Sequence, residues 1–91
     1  MARAIRLRIL TSEGVAVEEE AVSVIAPGEV GYLGVLRNHA PLVTTLQPGT
    51  LTWRRPSGQQ RSQLIGTGLL EIVRNQLTVL TDVLSEPAQA T

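Results

Sequence analysis

The chain has 91 residues, a length that makes one domain with a single modest core. It is formally neutral at pH 7, has no cysteine, and carries Tyr32 and Trp53 as its only aromatic residues. This composition argues against a strong nucleic-acid surface, which needs a basic excess, and against a stacking face for bases or sugars. It excludes disulfide stapling and cysteine-based metal sites.

The N-terminal "MARAIRLRIL" is basic and then apolar, but its apolar residues alternate with Arg and stop too early for a signal peptide. No apolar run reaches the ~18–20 residues of a membrane-spanning helix. The cytoplasm is the expected compartment. Ile5, Leu7 and Ile9 against Arg6 and Arg8 predict a half-buried strand. Ser12-Glu13-Gly14 has turn chemistry. "VAVEEEAVSVIA" predicts a short strand, an acidic crossing and a second strand through Val22 and Val24. Pro27 to Gly31 reads as a turn.

"YLGVL" predicts a short strand with a bulge or close backbone approach at Gly34. "RNHAP" reads as a loop and "LVTTL" as a strand. Gln47-Pro48-Gly49 fits a type II turn, with Gly49 in its third position. "TLTWRR" and "QQRSQLIG" flank Pro56-Ser57-Gly58, and "GLLEIV" and "LTVLTDVL" flank Arg74-Asn75-Gln76, so both pairs read as hairpins. No window holds a convincing 3.6-residue period. Short β-branched runs separated by turn signals predict an all-β sandwich or barrel. One domain is expected over residues 1–84, with a flexible tail over residues 85–91.

All eight basic residues are Arg. Acids crowd the first third, and Arg37 to Arg74 holds five Arg and one acid, Glu71. Such mild polarity suits docking between protein partners, and also a solvated surface, the commoner case. Catalytic templates fail on inventory. His39 is the only histidine, Asp82 the only aspartate, and no Ser stands in a nucleophile elbow. No second His and no Cys joins His39 in a metal set. "GEVGYLG" has the glycines of a phosphate loop without its Lys or following helix. The expectation is a non-catalytic module, with no cofactor and no metal, whose surface does the work.

One stretch is more specific. "APGEVGYLGVLRNHAPLVTTLQPGTL", Ala26 to Leu51, contains Gly34-Val35-Leu36, Asn38-His39-Ala40-Pro41-Leu42, Thr44 or Thr45, and Pro48-Gly49 in order. "GTGLLEIVRNQLTVLTD", Gly66 to Asp82, supplies a second block at the right separation. Together they resemble the N-terminal domain of the epsilon-subunit family of F-type ATP synthases, over essentially the whole chain. The resemblance implies a β-sandwich of about ten strands. It also implies a place at the foot of the central stalk, peripheral on the cytoplasmic face of the inner (plasma) membrane. There the domain grips the γ subunit and touches the ring of c subunits, coupling ion-driven rotation to ATP synthesis. It implies a c-ring contact at Tyr32, Arg37, Asn38 and His39, and a γ contact at Thr11 and Ser12. His39 that only satisfies its own loop is the alternative.

The sequence departs from the pattern. Tyr32 stands where an acid is frequent, Arg37 replaces the usual Pro, a Gly pair is split as Gly66-Thr67-Gly68, and Thr81 replaces a common Ala. Most bacterial members continue into a C-terminal helical hairpin, whereas this sequence ends soon after Asp82. A chain without the hairpin is expected to lack hairpin-based self-inhibition and ATP sensing. The competing reading is a stand-alone β-sandwich protein-binding module of the same fold.

Overall fold

A computed structural model describes residues 4–82 and the backbone of Leu84 and Ser85. The described residues form ten strands: β1 (Ile5–Thr11), β2 (Gly14–Ala21), β3 (Ser23–Gly28), β4 (Gly31–Leu36), β5 (Leu42–Leu46), β6 (Gly49–Arg54), β7 (Gln60–Ile65), β8 (Gly68–Val73), β9 (Gln76–Thr81) and β10 (Leu84–Ser85). The hydrogen-bonded order is β10-β7-β6-β3-β5-β8-β9-β1-β2, with β4 on β3. The path narrows to a single bridging pair, Gly28↔Leu46, between β3 and β5. There the sheet folds into two layers, β10-β7-β6-β3-β4 and β5-β8-β9-β1-β2.

Alternation explains the layering. Ile5, Leu7 and Ile9 of β1, Leu70 and Ile72 of β8, and Leu77 and Val79 of β9 turn inward from one layer. Val24 and Ala26 of β3, Val35 of β4, and Leu51 and Trp53 of β6 meet them from the other. Each fully buried Leu, Ile or Val contributes about 1.5–3 kcal/mol relative to exposure. With no Phe available, Trp53 is the largest side chain in this aliphatic core. The expected all-β sandwich and both expected hairpins are present. The expected flexible tail over residues 85–91 lies outside the described residues apart from the Ser85 backbone.

Three local expectations need correction. The acidic run is no crossing: β2 is continuous from Gly14 to Ala21, and Glu18, Glu19 and Glu20 are strand residues. Glu19 shares the inward row with Leu7, Leu77 and Ile72, so alternation carries it toward the core. Gly34 makes no bulge; it pairs in register with Ile25, and nothing lies within 4 Å of where its Cβ would stand. The irregularity falls between Ile9 and Leu10 instead. Gly49 is not a positive-φ turn residue but opens β6. It must be Gly because a Cβ there would stand 2.8 Å from Pro27 Cβ and 2.9 Å from the Tyr32 hydroxyl.

Candidate functional site

The stretch from Tyr32 to His39 is not one loop. Tyr32 lies near the start of β4, and Arg37, Asn38 and His39 follow its end. At about 3.3 Å per strand residue, β4 carries Asn38 up to about 20 Å from Tyr32. The structure therefore brings Arg37, Asn38 and His39 together but sets Tyr32 apart from them.

The first end is built by two left-handed asparagines. Asn75 (φ 64) follows Arg74 (φ 50) in the tight β8–β9 turn, as a type I′ hairpin requires. Asn38 (φ 65) turns the chain after β4. The Asn38 backbone N–H donates to Asn75 Oδ1 at 2.6 Å, and Asn75 Nδ2 donates to Asn38 Oδ1 at 3.1 Å. The Arg6 N–H donates to the Asn75 carbonyl at 2.7 Å, tying β1 to the same turn. His39 is half-buried. Its backbone N–H donates to the Leu36 carbonyl at 3.2 Å, and its Nδ1 lies 2.6 Å from the Ala40 carbonyl. The histidine is thus engaged by its own loop.

The opposite end carries Tyr32, Thr11 and Ser12. Pairing runs from Gly28 to Leu46, Gly68 and Thr81 across the layers, and β1 reaches its terminus beside this row. The Thr11 hydroxyl accepts from the Glu13 N–H at 3.1 Å in the β1–β2 turn. The Tyr32 hydroxyl reaches across Pro27 to accept from the Thr50 N–H at 3.3 Å. Glu29 Oε1 accepts from the Thr45 hydroxyl at 2.7 Å. Asp82 accepts from the Thr67 hydroxyl at 3.1 Å here, so His39 and Asp82 stand at opposite ends of the sandwich and cannot act as a dyad. Among the described residues, no group of three or more His, Asp or Glu is placed to hold a metal ion.

Between the two ends lies a face that sequence reading did not assemble. On the outside of the second layer, Thr45, Leu69, Leu80, Leu10 and Val15 align in register across five strands. Neighbouring strands are about 4.8 Å apart, so the row is about 19 Å wide. Leu69, Leu80 and Val15 are exposed, as is Val43 in the adjacent row. A shallow groove follows Leu80 and Leu69 and runs on to Thr11, Ser12 and Asp82. On the other side the row is bordered by Arg8 and Glu18, with Arg8 Nε 3.4 Å and Arg6 Nη2 3.8 Å from Glu18 Oε2. The signal was available in the sequence as outward-facing Leu10, Leu69 and Leu80 on strands whose inner faces were already apolar.

A third feature fastens the layers. Glu19 on β2 accepts from Trp53 Nε1 at 3.1 Å, from Arg55 Nε at 2.5 Å and from Arg55 Nη2 at 3.2 Å. The Arg55 guanidinium holds the Glu19 carboxyl below the usual carboxylate range despite the opposing effect of burial, and the Trp53 N–H adds to the lowering.

Residues 4–87 match the family model described as the ATP synthase delta/epsilon chain beta-sandwich domain. The chain belongs to this family. It is 46% identical over 78 residues to an ATP synthase epsilon chain of Moorella thermoacetica, covering 86% of this chain and 58% of that one. An ATP synthase epsilon chain of Desulfosudis oleivorans is 35% identical over 82 residues, covering 90% and 62%. The chain thus spans about three-fifths of the length of these curated relatives. Its fold is shared with a chain in the cryo-EM structure of the Euglena gracilis mitochondrial ATP synthase OSCP/F1/c-ring, at TM-score 0.87 and 20% identity, covering 93% of this chain and 54% of that chain. A chain of the Tetrahymena thermophila mitochondrial ATP synthase central stalk and c-ring gives TM-score 0.74 at 14% identity, covering 94% and 72%.

Proposed function

We propose that this domain is the sandwich portion of a central-stalk rotor subunit of an F-type ATP synthase, docking on γ and on the c ring so that ion-driven rotation is coupled to ATP synthesis. It acts as a coupling element and not as a catalyst. It lies outside the bilayer, peripheral on the cytoplasmic face, held there through the complex.

The observation that carries this reading is the apolar row of exposed Leu69, Leu80 and Val15 with half-buried Leu10, bordered by Thr11 and Ser12. A contiguous exposed apolar strip marks a protein interface. Thr11 and Ser12 at its margin supply hydroxyls for the polar rim that such interfaces carry. This face is the γ contact. For the ring, Tyr32 is the better candidate of the four residues expected there, because the residue is 60% exposed. Asn38 and His39 are already bonded within their own end of the sandwich.

The test is calorimetry of the 91-residue chain against γ from the same organism. Submicromolar one-to-one binding is expected. No binding between two demonstrably folded proteins would overturn the rotor reading and favour a stand-alone binding module.

A further inference from the structure

Among the described residues, three strands end the sheet: β2, β10 and β4. Sheet edges invite pairing with another chain, and two of these edges are guarded in ordinary ways. β2 carries Glu18 and Glu20 and meets an irregularity in β1. β10 is two residues long. β4 has neither device. Its six residues, Gly31 to Leu36, include no charge and no Pro, and they pair with β3 alone.

Register fixes which groups this edge offers. Glu29 and Val30 close a two-residue turn, so Gly28 and Gly31 exchange backbone bonds, and every second pair beyond them does the same. Tyr32, Gly34 and Leu36 then turn their N–H and C=O groups away from β3. Pro27, opposite Tyr32, fits this phase: its carbonyl accepts from the Gln47 N–H at 2.9 Å, on the far side of β3. The Leu36 carbonyl takes the His39 N–H. Tyr32, Gly34 and Leu36 are all exposed. The Tyr32 hydroxyl reaches across Pro27 to the Thr50 N–H, which draws the ring off the edge. At the midpoint, nothing lies within 4 Å of where a Gly34 Cβ would stand, so a second strand can approach.

We propose that β4 pairs antiparallel with β4 of a second copy of this chain, about a two-fold axis at Gly34. That register is self-complementary. Gly34 faces Gly34, and Tyr32 faces Leu36 in both directions, an aromatic–aliphatic cross-strand pair. The charges flanking the strand also match. Pairing sets Arg37 of each copy opposite Gly31 of the other, two residues from Glu29, whereas a parallel register would set like charges side by side. The pair consumes both β4 edges and closes at two copies. It leaves the row of Leu69, Leu80 and Leu10 uncovered on the other layer, so it does not compete with the proposed γ contact.

Sedimentation equilibrium of the 91-residue chain, from about 1 μM to about 1 mM, tests the pairing. One strand pair is smaller than a standard interface, so the mass should rise from 9.8 kDa toward twice that value only in the upper part of the range. Gly34→Pro removes the N–H at the axis, which bonds nothing within the hairpin, and should remain monomeric throughout. Gly34→Ala keeps that N–H and should dimerise as the parent does. Leu36→Lys charges the edge and should weaken association at least tenfold. All three variants should melt within a few degrees of the parent. A parent chain still monomeric at the top of the range overturns the pairing, as does a folded Gly34→Pro variant that dimerises. Association that runs past two copies overturns the two-fold closure.

Discussion

Glu19 and Arg55 form a two-pronged ion pair that ties β2 in one layer to the end of β6 in the other. Arg55 Nε meets Oε1 at 2.5 Å and Nη2 meets Oε2 at 3.2 Å, the parallel fork geometry that guanidinium and carboxylate favour. The same Oε1 accepts the Trp53 indole N–H, so the pair also satisfies the polar edge of the largest core side chain.

Glu19→Gln is expected to lower stability by about 1.5–2 kcal/mol, the lower part of the range for hydrogen bonds to charged groups. Its pH dependence has a definite sign. Glu19 titrates lower in the folded state than in the unfolded chain, so its contribution is complete above the ordinary carboxylate range, about pH 4.3. It fades as pH falls through the depressed folded value. Denaturant melts of both proteins from neutral pH downward should show the gap closing only in acid. A gap that stays constant into strong acid would refute the ion-pair account.

Two glycines should respond in opposite ways. A Cβ on Gly68 would run into the Leu80 carbonyl across the β8–β9 ladder. Gly68→Ala should therefore cost about 2–4 kcal/mol, at or beyond the usual overpacking range, since backbone must move. Gly34 sits in β4 with open space around its missing side chain. Gly34→Thr should be neutral or stabilising by up to about 1 kcal/mol, through β propensity and a less flexible unfolded chain. Thermal unfolding of the pair decides it; equal losses at both positions would sink the argument.

The contrast shows what local sequence carries. Alternation at Ile5, Leu7 and Ile9, and turn residues at Pro56-Ser57-Gly58 and Arg74-Asn75, each act within a few positions and were legible. Glu19 was not, because a run of three glutamates looks solvated when its strand partner and Arg55 are both remote. The role of Gly49 was misassigned for the same reason: the crowding atoms belong to Pro27 and Tyr32, not to its own turn. Tyr32 and His39 look close in sequence, but the strand between them carries them to opposite ends. The outward leucines Leu10, Leu69 and Leu80 stand out in the sequence, but their alignment into one row follows only from the register of the strands.

The Asn38–Asn75 clasp joins two turns that are 37 residues apart. Asn75→Gly keeps a residue able to hold φ 64 and removes only the side-chain amide. It should cost about 0.5–1.5 kcal/mol and speed amide exchange at Asn38 and His39, with the β8–β9 ladder unaffected. Asn75→Ala should cost more, since Ala adds backbone strain in the left-handed region. Hydrogen exchange by mass spectrometry resolves the two turns. Unchanged protection at Asn38 in Asn75→Gly would show that the clasp does not hold the loop.

Leu80 is the most direct probe of the apolar face. It is 46% exposed and centred in the row between Leu69 and Leu10, and its removal leaves the core row of Val79 and Leu77 untouched. Leu80→Asp places a charge where docking would desolvate it, at a cost that buried unpaired carboxylates make large. Binding to γ should weaken at least a hundredfold, while melting shifts by no more than a few degrees, because the free chain leaves the site in water. A matching substitution at Ile25, exposed on the outer face of the other layer, should leave γ binding intact. If Ile25→Asp abolished binding and Leu80→Asp did not, the γ contact would belong on the opposite face of the sandwich.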